Sequence, residues 1–488
     1  MNPQIEQAID RFRCSGAKYA KTERYYRGDH DLAFATEKFV NAFGTLFREF
    51  AMNLCPAICD AVRDKLRVTG FSVLSEPGAV ATGLTEPISP PGKVKPPATA
   101  GGSDWPPATA NGTDLGLHAL IDRIWFRNRM AERAGEIHKE VLKNGDAYAV
   151  VWFDPQGEVT IYPHRAGSVT VEYDEEQPGQ IVWAAKYWRT PDKRTRLNLF
   201  YPDRIERYVT RKESEIVLPE AKEFVGLSER SAVAGRLTRP DGELRSLTGE
   251  IKPPATAGGS DMIPNPFGVV PVFHFANNAD VGCLGQSELE PAIPIQDGLN
   301  KSVLDMLVAM EFSAYRQRWA AGIETEYDDE GEPKPPFTAG AERLWIATNP
   351  DTTFGDFNAS NLDQFLKVKD SFRVDMASVT GTPLHYFLQN SRGFASGESL
   401  KQNETRFLAK VRDRQATFGQ IWAELMAFAL RLSGHGPVEL ITQWEDPSPM
   451  SENDILTNIL LKKQIGLSTE QALREAGYGE VDVKRMVG

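Results

Sequence analysis

GQSELEPAIPIQDGLNKSVLDMLVAMEFSAYRQRWAAGIE, from Gly285 to Glu324, and SVTGTPLHYF, from Ser378 to Phe387, frame the stretch that decides the fold. Between Gln286 and Leu432 the chain reads as three helix-like segments, separated first by an acidic, Pro-rich excursion and then by a Gly/Ser-rich loop. Ser287 and Glu290 have the spacing of a capping box, but Pro291 and Pro294 donate no backbone hydrogen bond and interrupt any helix begun there. The regular helix is therefore predicted to start with Pro294 in its first turn and to run to Arg318, with Leu299, Val303, Met306, Leu307 and Met310 on one face. At 1.5 Å per residue it would span about 37 Å, long for a small globular domain.

A return arm is predicted from Leu362 to Val379, its apolar positions being Leu362, Phe365, Leu366, Phe372, Met376 and Val379. Ser360 and Asp363 supply a capping-type start, and Gly381 and Pro383 a stop. Two such arms can lie antiparallel. The segment between them carries Glu324, Glu326, Asp328, Asp329, Glu330 and Glu332, then a strand-like RLWIAT. These carboxylates lack the invariant glycine and terminal glutamate of a calcium loop, so they read as a solvated acidic loop. After the second arm, Gly381, Gly393 and Gly397 mark a loop. The next helix, from Gly397 to Leu432, has a near-heptad apolar series with Glu404 and Arg414 in its remaining slots, and a length of about 54 Å. Lys401, Arg406, Lys410, Arg412 and Arg414 crowd its first half, and Arg406, Lys410 and Arg414 fall on one stripe. That stripe can face DNA or pair with acids of a neighbouring subunit. SENDILTNILLKKQIGLSTEQALREAGY reads as two short amphipathic helices with Ser451 and Thr469 as start signals.

Upstream, Gln4 to Asp64 reads as helices, with Phe39, Phe43, Leu46, Phe47 and Phe50 at three- and four-residue spacings, and Val68 to Leu74 as extended chain. Residues 76–114 are rich in Pro, Gly, Ala, Ser and Thr and read as a surface loop. KPPATAGGSD occurs at Lys95 to Asp104 and again at Lys252 to Asp261, with looser echoes at Trp105 and Lys334; the irregular spacing makes it a spacer word, not a solenoid repeat. AYAVVWF, EVTIYP, SVTVEY, IVWAAKYW and RLNLFY, between Asp146 and Tyr208, alternate and are separated by turn signals, which predicts an antiparallel sheet joined by hairpins. NPFGVVPVFHFANN, Asn265 to Asn278, reads as an extended segment leading into the long helices. The fold class is α+β.

At 488 residues several structural units are expected, and 41% hydrophobic against 25% charged residues is a globular composition. No apolar run approaches the roughly 20 residues of a membrane span, and MNPQIEQAIDRFRCSG lacks the apolar core of a secretory signal, so a cytosolic origin without membrane association is expected. Four cysteines, at 14, 55, 59 and 283, read as free thiols; Cys55 and Cys59 share a helical face but lack further metal-ligating partners. Acids outnumber Lys plus Arg by 67 to 55, a net charge of −12, which argues against adhesion to DNA through a basic surface. GxxxxGK[ST], HExxH, GxSxG and paired CxxC motifs are absent, and the seven histidines show no metal-ligand spacing, so no enzyme activity, metal or cofactor is expected.

The stretches already quoted, with YYRGDHDLAFA (Tyr25 to Ala35) and NLCPAICDAVRDKLRVTGF (Asn53 to Phe71), resemble the portal (head-to-tail connector) proteins of tailed phages, siphophage branch. The resemblance covers most of the chain. It implies a mainly helical portal fold: an outer α/β wing over 1–285, a stem helix at 286–319, a clip at 320–358, a second stem helix at 359–380, a tunnel loop at 381–397, a channel helix at 398–433 and a helical crown at 434–488. It further implies a homo-oligomeric ring of about twelve subunits at the capsid vertex of a virion, assembled in the host cytoplasm. Double-stranded DNA would pass through its channel during packaging and ejection. The implied partners are the terminase large subunit, a head-completion or adaptor protein, and the major capsid and scaffolding proteins. Under the same resemblance Asn390, Arg392, Lys401, Arg406, Lys410 and Arg414 would contact DNA, and the six carboxylates from Glu324 to Glu332 would bind partners at the clip. For Arg392, pairing with a neighbouring subunit is an equal alternative. Another head-morphogenesis protein, or a helical scaffold or adaptor without a channel, is the competing function.

Overall fold

The computed structural model describes residues 2–31, 34, 41, 52–73, 114–177, 179–227, 261–280, 283–314, 318–322, 350–356, 362–388, 397–448, 452–476, 483 and 486. Helix α1 (Pro3–Arg27) begins under Asn2, whose side chain accepts the Gln4 N–H, and stops at Gly28 in the left-handed region (φ 91°). It is followed by α2 (Cys55–Arg63), strand β1 (Val68–Val73), α3 (Asp114–Arg127) and α4 (Met130–Asn144). The apolar series from Phe39 to Phe50 and the spacer words at 95–114 lie outside the described residues.

The alternating runs expected to form one sheet form two. Strands β2 (Asp146–Phe153) and β3 (Val159–Arg165) pair antiparallel. β4 (Val169–Tyr173), β5 (Ile181–Arg189), β6 (Thr195–Phe200), β7 (Arg204–Thr210) and β8 (Phe224–Gly226) follow in order as a second sheet, with β9 (Met262–Pro264) also on β7. The segment read as a lead-in to the long helices supplies β10 (Val272–Ala276), which pairs with β2 and completes the three-stranded sheet β10-β2-β3.

The layers follow from side-chain alternation. On the six-stranded sheet, Trp183, Ala185, Leu197 and Leu199 pack against Ile5, Ile9 and Phe12 of α1. The opposite-facing Val171, Ala184, Phe200 and Ile205 pack against Tyr148, Val150 and Val272 of the smaller sheet. The other face of that sheet, with Ala147, Ala149, Val151, Phe273 and Phe275, joins a core with α2, α4 and a long helix. β2 is thus buried on both faces, which is why its run is apolar nearly throughout.

Helix α5 (Ile293–Ala314) is shorter than expected: Arg318 opens strand β11 (Arg318–Ala321), which pairs antiparallel with β12 (Thr353–Asp356) ahead of α6 (Asp363–Thr380). Helices α5 and α6 pack as the two arms of a hairpin, with the Phe372 ring lying over Gly298. The residue before α6 is Leu362, which makes no side-chain cap bond; Ser360 lies outside the described residues. Gly381, at φ 66°, ends the arm as expected. Helix α7 (Gly397–Leu432) has the predicted bounds.

Beyond α7, β13 (Leu440–Trp444) turns back to pair with β1, so the segment after the long helix is tied into the N-terminal core before α8 (Glu452–Gln464) and α9 (Thr469–Glu475) begin. Ser468, not Thr469, caps α9, its Oγ accepting the Gln471 N–H at 3.2 Å.

Candidate functional site

The approach to the hairpin is a polar junction built on two glycines. A Cβ on Gly285 would sit 2.0 Å from the Gly145 carbonyl oxygen, and Gly145 itself has φ +93°. Only glycine lets these backbones meet. Asp146, next to that contact and fully buried, accepts from the Gly285 N–H (2.7 Å), His274 Nε2 (2.8 Å) and the Tyr19 hydroxyl (2.7 Å). Lys18 Nζ donates to the Gly285 carbonyl at 3.0 Å. Ser287 does not cap a helix of its own; its Oγ accepts from Leu289 N and donates to the Lys143 carbonyl at the end of α4.

Glu288 follows directly, and its backbone N–H donates to Leu142 O at 3.0 Å. Its carboxylate accepts from Asn277 Nδ2 (3.2 Å) and from Arg414 Nη2 (3.1 Å), and it is ion-paired with Lys410. Burial alone would raise the Glu288 carboxyl, but Lys410 and Arg414 outweigh it and hold it below the ordinary range. The Glu288 and Arg414 side chains are each less than a tenth exposed. Lys410 Nζ also donates to Thr380 O (2.9 Å) and Arg406 Nη1 to Ser378 O (3.2 Å), which places two cations at the C-terminal carbonyls of α6.

The cationic stripe of α7 is therefore committed within its own chain. Lys410 and Arg414, expected to face DNA, are spent on Glu288; Arg406, partly engaged by α6, remains exposed. The apolar slot that Arg414 occupies in the sequence is a buried slot in the fold, so a charge there needed an internal partner. The backbone of Lys401 belongs to α7, whereas its side chain, Asn390, Arg392, and all of Glu324, Glu326, Asp328, Asp329, Glu330 and Glu332 lie outside the described residues. The ribbon of β11 and β12 brackets the acidic segment, with Trp319 opposite Gly355.

The base of α5 is held by a second set of buried polar groups. Gln296 accepts from Leu54 N (2.9 Å) and donates to Met52 O (2.7 Å), while the Tyr25 hydroxyl meets Asp297 at 2.8 Å. Burial pushes the Asp297 carboxyl up. Burial falls away toward the tip: Leu299, Val303 and Leu304 are buried, Met310 exposed. On α6, Leu366, Val368, Val374 and Val379 are all more than two-fifths exposed.

Sequence reading missed Glu288, Asp146, Asn277 and the pairing of His138 with Trp422, whose Nε1 donates to His138 Nε2 at 2.9 Å. Nothing in local spacing links positions so far apart. Cys55 and Cys59 lie fully buried in the core, where burial pushes the Cys55 thiol up to about 12. Among the described residues no cluster of metal-ligating side chains occurs, and no helix is long and apolar enough to cross a membrane.

The sequence matches the family described as phage portal protein, SPP1 Gp6-like, over residues 106–477, a span that includes both sheets, the hairpin and all of α7. The chain belongs to this portal family. Among curated relatives, the portal proteins of Mycobacterium phages D29 and L5 are each 27% identical, over 235 and 236 residues. These alignments cover 46% of this chain, and the chain spans about half the length of the relatives it matches, 48% and 49%. A solved structure of the neck of a native gene transfer agent particle, computed with C12 symmetry, aligns at 13% identity and a TM-score of 0.39, covering 72% of this chain and 80% of that one. A virion of the same kind of particle aligns at 12% identity and 0.39, over 74% and 83%.

Proposed function

We propose that this chain is a portal subunit: copies close a ring at one capsid vertex, and the ring's axial channel passes double-stranded DNA during packaging and ejection. The observation that carries this reading is the family match across the hairpin and α7, the elements from which a portal builds its channel. The exposed apolar flanks of α6 support assembly, because an isolated hairpin would leave Leu366, Val368, Val374 and Val379 in water. A cyclic ring gives each subunit two different contact faces and so covers both flanks of a radial hairpin.

In this reading residues 1–285 form the wing, α5 and α6 the stem, 320–358 the clip, 381–397 the tunnel loop, α7 the channel helix and 434–488 the crown. The clip carboxylates Glu324, Glu326, Asp328, Asp329, Glu330 and Glu332 dock the terminase large subunit and later a head-completion or adaptor protein. Capsid and scaffolding proteins surround the wing. Asn390, Arg392, Lys401 and Arg406 approach the phosphates, whereas Lys410 and Arg414 hold α7 to the stem. The net charge of −12 favours sliding over tight binding, since a surface poor in free cations releases few counterions from the duplex. The subunit is passive, because the sequence has no phosphate-binding loop.

Native mass measurement with electron microscopy of the purified chain tests the reading. The expected result is a closed ring of about twelve subunits with an axial opening and no ATP turnover. A stable monomer at micromolar concentration, or ATPase activity that copurifies through successive columns, would sink it.

A further inference from the structure

We propose that Glu288 is a positioning residue that couples the helical hairpin to the first half of α7, through one carboxylate shared between Lys410 and Arg414. The stretch from Arg406 to Arg414 is tied to both ends of the hairpin at once. Glu288, in the turn just before α5, takes Lys410 and Arg414, while Ser378 O and Thr380 O at the end of α6 take Arg406 and Lys410. Lys410 belongs to both ties, so neither arm can shift against α7 without disturbing the other.

The two halves of α7 are held differently. From Phe418 onward, Phe418, Trp422, Leu425, Met426 and Ala429 are fully buried against the sheet. In the first half, Phe407, Leu408 and Val411 are the buried apolar side chains among the described residues, and beside them stand the ion pairs of Lys410 and Arg414 and the hydrogen bonds of Arg406 and Lys410 to the α6 carbonyls. Beside that ionic contact lies a cleft of about 360 Å³, lined by Asn278, Gln286, Pro291, Val379 and Gly381 as well as by the cations. The cleft leaves room for the side chains to rearrange once the carboxylate lets go. Inside it, Asn277 Oδ1 and Arg414 Nε are buried without a hydrogen-bond partner; the guanidinium is compensated by the exposed Asp413 at Nη1 (2.5 Å) and by Glu288 at Nη2 (3.1 Å), and of the two acids Glu288 is the buried one.

Coupling is a difference in free energy and is measured as non-additivity between the partners. The junction is a property of the single chain and is tested apart from the portal reading; its use in transmitting displacement from the stem to a channel rests on that reading. Hydrogen exchange is followed in the full-length protein carrying Glu288→Gln, Lys410→Met, or both. The glutamine keeps the shape and the Asn277 bond but loses the charge. We expect exchange across 376–382 and 402–414 to rise by about tenfold or more in Glu288→Gln, with little change across 418–430. Lys410→Met should show the same pattern more weakly, and the double variant should be no worse than Glu288→Gln alone. Additive effects, or an equal loss of protection along all of α7, would overturn the proposal. Should Glu288→Gln fail to fold, Lys410→Met and Arg414→Met carry the test on the same two regions: a rise confined to 376–382 and 402–414 supports it, and an even rise along α7 overturns it.

Discussion

Gly285 and Gly145 meet backbone to backbone, and the contact admits no compromise, because a methyl group on Gly285 would fall 2.0 Å from a carbonyl oxygen and 2.7 Å from the Asn277 nitrogen. Gly285→Ala should therefore destabilise the chain by about 2–4 kcal/mol, read as a shift of the denaturation midpoint at unchanged slope. An alanine at Gly436, which lies outside any helix or strand and has nothing near its Cβ, is the control. His138 makes a different demand. Its Nε2 accepts from Trp422, its Nδ1 faces Leu66 O, and burial lowers its pKa to about 4. In the unfolded chain an imidazole takes its proton below about 6.5. Between those two values the unfolded state binds more protons than the folded one, so stability falls as pH falls from about 6.5 to about 4. His138→Phe should reduce the slope of that part of the pH profile without abolishing it, since burial also lowers His164, to about 3, and His30, while lowering stability at neutral pH through the lost Trp422 bond. Glu288 acts lower on the scale: its carboxyl is held below the ordinary range, so its contribution is complete above that range and is lost as pH falls through the depressed folded value.

Helix α7 was legible to the residue because its apolar series, its opening glycine and its terminating Gly434 and Gly436 all agree. The hairpin arms are legible in type and order, but the expected reach of α5 to Arg318 takes in a residue that opens β11, since RQRWAA carries no breaker that separates the end of a helix from the start of a ribbon. The sheets were legible as strands and not as layers: which of five alternating runs pair, and that the distant Val272–Ala276 lies beside β2, depends on contacts far apart in the chain. Glu404 and Arg414, read as polar residues in apolar slots, are both buried, yet the partner that makes Arg414 tolerable lies 126 positions away and leaves no local trace. The exposed flank of α6 carries its own prediction. Leu366→Glu with Val374→Glu places charge on two residues that are 48% and 47% exposed, so folding of the single chain should be nearly unchanged. Ring assembly should be lost, because the same charges would be desolvated at a subunit contact. Native mass spectrometry beside circular dichroism separates the two effects; rings that form at wild-type yield would remove α6 from the interface.

The chain as a whole carries a net charge of −12 while concentrating cations on one stretch of α7, and among the described residues the fold separates the paired Lys410 and Arg414 from the exposed Arg406. Lys410 and Arg414 are consumed by Glu288; Arg406 is exposed, and Arg392 and Lys401 stand earlier in the chain. A conducting channel needs cations that touch the duplex without holding it, and it also needs walls that do not deform as the duplex passes. Under the proposed function the two groups would meet these needs separately, which makes their substitutions distinguishable. If the proposed function holds, Arg392→Glu should leave ring yield and melting temperature unchanged while lowering the amount of DNA retained in filled particles, since it would set a like charge beside the phosphates. Arg414→Met should do the reverse: it strands Glu288 without one of its two cations, lowers the melting temperature, and affects DNA only through the rings that fail to form. Quantifying rings, melting and packaged DNA for both variants in one preparation tests the division. If Arg392→Glu particles hold a full genome and Arg414→Met rings are intact but empty, the roles assigned to the two groups are the wrong way round.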